Sequence, residues 1–162
     1  MLAGLGASGV VRQAPSMQAP RAAHSATALS DGRVLIAGGF TRAGSAPGAE
    51  LYERHASRSS ATGTMVEVRH SHTATRLPTG HVLIVGGYGE GGRTLASAEL
   101  FDPRTNRFTP VGRLGSARAD HIAVLLTTGQ VLVAGGLGEG WTYLSTAELY
   151  DPTEVRSPPR HR

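Results

Sequence analysis

The chain has 162 residues, of which 40% are hydrophobic and 17% charged, a composition typical of a folded, soluble protein. It contains no cysteine, which excludes disulfide bonds and thiolate chemistry. No apolar run approaches the ~20 residues of a membrane-spanning helix, and no basic residue precedes the apolar N-terminus as in a secretory signal. We therefore expect no membrane association, and the compartment is unknown.

The formal net charge of +4 raises the question of a nucleic-acid partner. All 16 basic residues are arginines, and they are dispersed along the chain. Several of them recur at fixed positions of a repeat, as structural residues would. No basic run with interleaved aromatic residues occurs, so we expect no nucleic-acid binding.

One pattern is present in three copies. The second copy begins HTATRLPTGHVLIVGG at residue 72 and continues SAELFDP at residue 97. Its main elements recur about 50 residues earlier and later, and such a period marks an array of similar structural units. The recurring elements are His24, His72 and His121; the pairs Gly38-Gly39, Gly86-Gly87 and Gly135-Gly136; and Glu50, Glu99 and Glu148.

Each unit is predicted to contain four short strands. The first alternates in polarity, and a turn such as Thr79-Gly80 connects it to a second strand whose continuous apolar run indicates burial on both faces. The third ends at a turn such as Asp102-Pro103, and Pro110 is compatible only with an outermost fourth strand. In the second unit the four segments are residues 72–77, 81–87, 97–102 and 106–111. Four antiparallel strands in a unit of this length are typical of a propeller blade.

The repeat register divides the chain into five parts. An end strand of a preceding or closing blade is expected near residues 9–12, and the third blade is expected to have an incomplete outer strand. The parts are residues 1–20 (end strand), 21–68 (first blade), 69–117 (second blade), 118–157 (third blade) and 158–162 (tail).

The repeat resembles the kelch motif. The resemblance is carried by Arg118 and His121, by the pair Gly135-Gly136 and by AELYDP at residues 147–152, and it covers roughly residues 16–155. It implies an all-β fold, a partial β-propeller of three four-stranded antiparallel kelch-type blades. The family closes six or seven blades into one ring, and it usually has a tryptophan in the outer strand. Here that position is Phe108 once and serine twice, at Ser59 and Ser157.

The recurring polar residues are interpreted as structural. The three histidines lie on different blades, and because packed sheets are ~10 Å apart they cannot share a metal ion. The recurring glutamates could form a ring of carboxylates, but a carboxylate inside a β core needs a partner. We therefore expect Glu50, Glu99 and Glu148 to pair with Arg21, Arg69 and Arg118.

The loop after each glycine pair varies while its flanks do not. Loops on a rigid scaffold often carry recognition, and aromatic residues and arginine are common anchors. The candidate binding residues are Tyr88, Glu90, Arg93, Glu139, Trp141 and Tyr143. The alternative is that these loops only connect strands, with Trp141 packed against the next blade.

The sequence favours a non-enzymatic binding or scaffold module that recognises a protein or a glycan through its inter-strand loops. It predicts no catalytic residue, cofactor or metal. One alternative is a fragment of a larger kelch propeller enzyme or sensor, of galactose-oxidase-like architecture, with its active residues outside this chain. The tyrosine–cysteine cofactor of that enzyme cannot be carried over, since cysteine is absent. Another is a truncated product without a function of its own. Three blades leave two open ends, so we expect a homodimer that completes a six-bladed ring, or else an aggregation-prone chain.

Overall fold

The computed structural model describes residues 9–46, 48–53, 56 and 58–154, and it shows an all-β chain. In this part of the chain, no helix is long and apolar enough to cross a membrane. The strands are β1 Ser25–Ala28, β2 Val34–Ala37, β3 Phe40–Thr41, β4 Gly44–Ser45, β5 Gly48–Glu53, β6 Arg58–Thr64, β7 Thr73–Arg76, β8 Val82–Val85, β9 Ser97–Asp102, β10 Arg107–Arg113, β11 Ile122–Leu125, β12 Val131–Ala134 and β13 Ala147–Tyr150.

The strands form three successive antiparallel sheets. The orders are β1-β2-β5-β6 in the first blade, β7-β8-β9-β10 in the second and β11-β12-β13 in the third. A separate hairpin, β3-β4, occupies the loop of the first blade. The fold class predicted from the sequence, a partial kelch-type propeller, is confirmed. The third sheet has three strands within the described residues, and an outer strand after residue 154 would lie outside them.

The predicted strands of the second blade differ from the observed ones only at their ends. The third strand occupies residues 97–102 as predicted. The fourth strand pairs Pro110 with Glu99 and continues for three more residues to Arg113. Its pairing is irregular between Pro110 and Gly112, and the first blade has the same irregularity between Gly48 and Glu50, where the strand contains no proline. Strand β10 is an edge strand, as a proline requires.

Alternating side chains of the second strand in each blade face opposite neighbours. In β8, Val82 and Ile84 belong to the core between the first and second blades, together with Leu35 and Leu51. Leu83 and Val85 belong to the core between the second and third blades, which also contains Val131 and Val133. Both faces of the strand are therefore buried, which explains its continuous apolar sequence.

The two end blades each have a face that no other described blade covers. On the third blade, Ile122 and Leu149 are 62% and 56% exposed. Residues 9–20 form no strand in the single chain, and Val11 is fully exposed, so the predicted end strand is not formed there. A strand has no stability without a partner, and no described strand of the same chain pairs with this segment. Residues 1–8 and the predicted tail 158–162 lie outside the described residues.

Candidate functional site

The glycine pairs lie where neighbouring blades approach most closely. A Cβ atom on Gly86 would lie 2.4 Å from the carbonyl oxygen of Arg118 and 2.8 Å from the His121 ring in the next blade. A Cβ atom on Gly87 would lie 2.5 Å from the carbonyl oxygen of His70 in its own blade. Only glycine fits these two contacts, and Gly86 is the one that lets the next blade approach closely.

A buried arginine joins each glycine turn to the third strand of the same blade. Arg69 is fully buried, and it donates to the carbonyl oxygen of Gly86 at 2.8 Å and to Glu99 Oε1 at 2.7 Å. The repeat gives three such ion pairs, Arg21–Glu50 at 2.6 Å, Arg69–Glu99 at 2.7 Å and Arg118–Glu148 at 2.9 Å. Each glutamate pairs within its own blade, and the three carboxylates do not form a ring.

The same glutamates also accept backbone N–H groups from the segment that enters the blade. Glu99 accepts from Val66 and Glu67, and Glu148 accepts from Gly115 and Ser116. Burial would raise the pKa of Glu148, but these backbone donors and Arg118 outweigh it and lower the pKa. Glu148 therefore stabilises the third blade in its ionised form.

The recurring histidines connect one blade to the preceding one. His72 Nε2 lies 2.8 Å from the Ser25 hydroxyl, and His121 Nε2 lies 2.9 Å from the Thr73 hydroxyl. Burial first, and nearby arginines second, lower the pKa of His72 to about 3 and that of His121 to about 4. Both rings are therefore neutral at pH 7. Among the described residues, no group of three or more side chains is placed to hold a metal ion.

A line of aromatic rings crosses the loop face, the side of the blades that carries the variable loops. The ring centroids are 5.4 Å apart for Phe40 and His70, 5.3 Å for His70 and Tyr88, and 5.8 Å for Tyr88 and Trp141. The rings belong to three different blades. The loop face thus presents one continuous aromatic strip.

Two grooves lie along this strip, one at each junction between blades. The first groove, between the first and second blades, has a volume of about 350 Å³ and is lined by Phe40, His70 and Glu90 among others. The second groove, between the second and third blades, has a volume of about 190 Å³ and is lined by Tyr88, Arg93, Glu139 and Trp141 among others.

The second blade, which contains His70 and Tyr88 of the aromatic strip, matches a known sequence family. Residues 69–115 match the family described as Kelch motif. This segment of the chain carries a kelch motif. The matched kelch segment contains Arg69, His72 and Glu99. Both other blades repeat the arginine–glutamate pair, and the third also repeats the histidine contact. A comparison with curated proteins gave no match to this chain. The kelch motif is typical of β-propeller modules that bind proteins.

The candidate binding residues fall into three groups. Tyr88, Arg93, Glu139 and Trp141 meet in the second groove, whereas Glu90 lines the first. Tyr143 is 89% exposed and lines neither groove. Arg93 donates to Glu67 at 2.7 Å, so its charge is compensated within the chain.

Trp141 does not pack into the core of the kelch blades. Its side chain is 74% exposed, and its ring contacts Tyr88 of the preceding blade. Its backbone has φ 62°, a left-handed conformation that is uncommon for a bulky residue. At the equivalent position of the second blade the turn has Gly92, with φ 76°.

Sequence reasoning missed two members of the aromatic strip. Phe40 follows the first glycine pair as Tyr88 follows the second, so the repeat register could have indicated it. His70 corresponds to Ala22 and Ala119 in the other copies, and only the structure shows its ring between Phe40 and Tyr88.

Proposed function

We propose that this chain is a non-enzymatic kelch-type binding module that recognises a protein partner through the loop face. The observation that carries the proposal is Trp141, which is exposed, stacked against Tyr88 and held at φ 62° on the wall of a groove. A left-handed conformation costs a non-glycine residue ~1–2 kcal/mol. Such local strain is concentrated at ligand-binding and active sites.

The second blade offers a direct comparison for this position. There the turn contains Gly92 at φ 76°, so a glycine is sufficient for the backbone conformation of this turn. The third blade instead presents the only tryptophan of the chain at this point, on the surface. Tryptophan is the residue type most enriched at binding hot spots. Its place in the turn is thus better explained by a ligand contact than by folding.

A matched pair of variants tests this proposal. The labelled protein is screened against peptide and glycan arrays, and each binder is then measured with Trp141→Gly, Tyr88→Ala and Arg104→Ala. We expect binders that lose affinity in the first two variants and keep it in Arg104→Ala, because Arg104 is exposed on an outer turn. Binders that survive Trp141→Gly would place the interface elsewhere. Glycan binders alone would support the glycan interpretation that the sequence left open.

We also propose that the two uncovered end faces of the array meet in a homodimer. At each junction between blades, two backbone hydrogen bonds recur, Gly87 N–H to Arg118 C=O at 2.8 Å and Asp120 N–H to Ser71 C=O at 3.0 Å. The corresponding groups at the end faces are complementary. They are the N–H of Gly136 and the C=O of Asp120 on the third blade, and the C=O of Arg21 and the N–H of Ala23 on the first.

The side chains at the end faces support the same pairing. Val34 and Ile36 of the first blade occupy the positions that Val82 and Ile84 use to pack against a preceding blade. The exposed Leu149 occupies the position of Leu100 in the second blade. Ile122 stands where Ser25 and Thr73 supply a hydroxyl, so the second copy's His24 would meet an apolar side chain at this junction.

A further inference from the structure

Both grooves of the loop face are built from the same two parts. One wall is an aromatic pair, Phe40 with His70 in the first groove and Tyr88 with Trp141 in the second. The other wall is a Gly-Glu-Gly turn, at residues 89–91 in the first groove and 138–140 in the second. The grooves therefore repeat one arrangement of rings and a carboxylate.

The carboxylates of these turns are available to a ligand. Glu90 and Glu139 are exposed, and neither side chain forms an ion pair or hydrogen bond with any residue that the structure describes. Most other carboxylates are engaged, as Glu99 is by Arg69 and Asp31 is by Arg33. Unpaired acidic groups are thus concentrated on this face of a chain whose net charge is +4.

The charged groups that line the two grooves do not offset these carboxylates. Arg93, the one arginine lining the second groove, is held by Glu67. Burial lowers the pKa of His70, so at pH 7 its ring is a neutral aromatic wall. Asp120 lies close enough to Tyr88 to raise the pKa of that hydroxyl in addition to the effect of burial. The groove linings are therefore negative as well as aromatic, and the exposed Arg42 stands next in sequence to Ala43, which lines the first groove.

We propose that the two grooves bind the cationic side chains of a basic peptide segment in the protein partner, with one arginine or lysine in each groove. This assignment rests on the proposed function of the loop face. An aromatic face attracts a guanidinium or ammonium ion placed over it. A carboxylate beside the ring adds a charge-assisted hydrogen bond.

A basic peptide fits this face better than the other ligand classes. An acidic peptide would meet two unpaired carboxylates and find Arg93 already engaged. A glycan could stack on the rings, but stacking does not require the same carboxylate in both grooves. Because residues 89–92 separate the two grooves, one peptide can occupy both, and the second contact then benefits from a high effective concentration.

The experiment uses the fluorescence of Trp141, which is the only tryptophan in the chain. The full chain is titrated with a glycine-serine peptide that carries two arginines and with the same peptide carrying two citrullines, the uncharged counterpart of arginine. We expect the arginine peptide to bind at least about five-fold more tightly, and the difference to shrink as salt is added. Glu139→Gln should weaken its binding about five-fold. Glu154→Gln, an exposed carboxylate outside both grooves, should not change it.

A separate variant, Glu90→Gln, tests the first groove. Glu90→Gln should weaken binding of the peptide with two arginines, and leave a peptide with a single arginine nearly unaffected, since one cation can use the second groove alone. Equal affinity for arginine and citrulline peptides would overturn the cation assignment. Binding of an acidic peptide that Trp141→Gly abolishes, measured by calorimetry, would overturn it while the proposed function stands. Binding of an oligosaccharide that Trp141→Gly abolishes would overturn both and support the glycan interpretation. No response to any of these probes would contradict both.

Discussion

The Nε2 atom of His72 lies 2.8 Å from the hydroxyl oxygen of Ser25, and the contact joins the inner strands of two neighbouring blades. His121 and Thr73 repeat it at the next junction at 2.9 Å. Burial is the main reason that the pKa of His72 falls from 6.5 to about 3. The cohesion of the blades is therefore coupled to the protonation of two buried rings.

Acid should destabilise the chain at pH values well above those at which carboxylates titrate. A histidine whose pKa falls on folding takes up its proton first in the unfolded chain. Its contribution to stability is therefore complete above pH 6.5 and is lost as the pH falls toward about 3 for His72 and about 4 for His121. At pH 5 we expect a loss on the order of 2 kcal/mol for each ring.

Urea denaturation at pH 7 and pH 5 measures this loss. The variant His121→Gln keeps a group that can bond the Thr73 hydroxyl but does not titrate, so its pH dependence should be shallower than that of the parent. Equal free energies of unfolding at the two pH values in the parent would show that the rings are not buried in the neutral form.

Replacing Glu99 by Gln should strongly destabilise the second blade. Arg69 is fully buried, and the remaining carboxylate near its charge would be that of Glu67 at 3.9 Å, beyond hydrogen-bond distance. Removing one partner of a buried pair typically costs ~3–5 kcal/mol. Glu53→Gln is the matched control, because the Arg58–Glu53 pair has an N–O distance of 3.6 Å and an arginine side chain that is 65% exposed. An exposed pair is worth ~0–1 kcal/mol. A Glu99→Gln variant that melts within a degree or two of the parent would refute the role of this pair.

The close approach of the blades makes Gly86 more sensitive to substitution than other glycines with positive φ. Gly86→Ala would place a Cβ atom 2.4 Å from the carbonyl oxygen of Arg118, in addition to the backbone strain at φ 61°. Gly129 has φ 88°, and a Cβ atom added there would meet nothing within 4 Å, so Gly129→Ala isolates the strain alone, ~1–2 kcal/mol. Gly86→Ala should cost at least about 2 kcal/mol more by chemical denaturation. Similar losses in both variants would mean that the blades can move apart freely.

Much of the fold could be predicted because the three copies of the repeat share the same spacing of residues. The apolar run of residues 82–85 indicated burial on both faces, and the structure places its alternate side chains in two different cores. Asp102-Pro103 marked the end of the third strand. The pairing of Arg69 with Glu99 followed from their common period and the need of a buried carboxylate for a counterion.

The geometry of the loop face could not be predicted in the same way. Trp141 and Tyr88 occupy different positions of the repeat, and their stacking depends on how two blades are placed side by side. The left-handed φ of Trp141 is a property of its turn that side-chain type does not indicate. The short hairpin at residues 40–45 was likewise expected only as a loop, since two-residue strands have no periodicity to read.

Trp141→Gly should leave the chain as stable as the parent, within about 1 kcal/mol. The substitution relieves the left-handed strain at φ 62°, and it adds backbone freedom to the unfolded chain, two effects of opposite sign and similar size. The exposed side chain contributes little buried area. Thermal melting followed by circular dichroism makes the comparison, with Phe101→Ala as a core control that should lose ~3–5 kcal/mol. Unfolding of Trp141→Gly would assign the residue to the core and remove the basis of the binding proposal.

The purified chain should form a homodimer with a mass near twice 16.8 kDa, measured by light scattering after size exclusion. Gly135 provides a specific probe of the contact. A Cβ atom on Gly135 would meet nothing closer than 3.7 Å in the single chain, whereas those on Gly38 and Gly86 would each meet the following blade at 2.4 Å. If the first blade of a second copy covers the third blade, Gly135→Ala should dissociate the dimer while the circular dichroism spectrum is retained. Gly129→Ala, on the turn of the same blade, should leave the dimer intact. A parent chain that is monomeric and unfolds cooperatively would show that the end faces are stable in water, and the ring would then have no driving force.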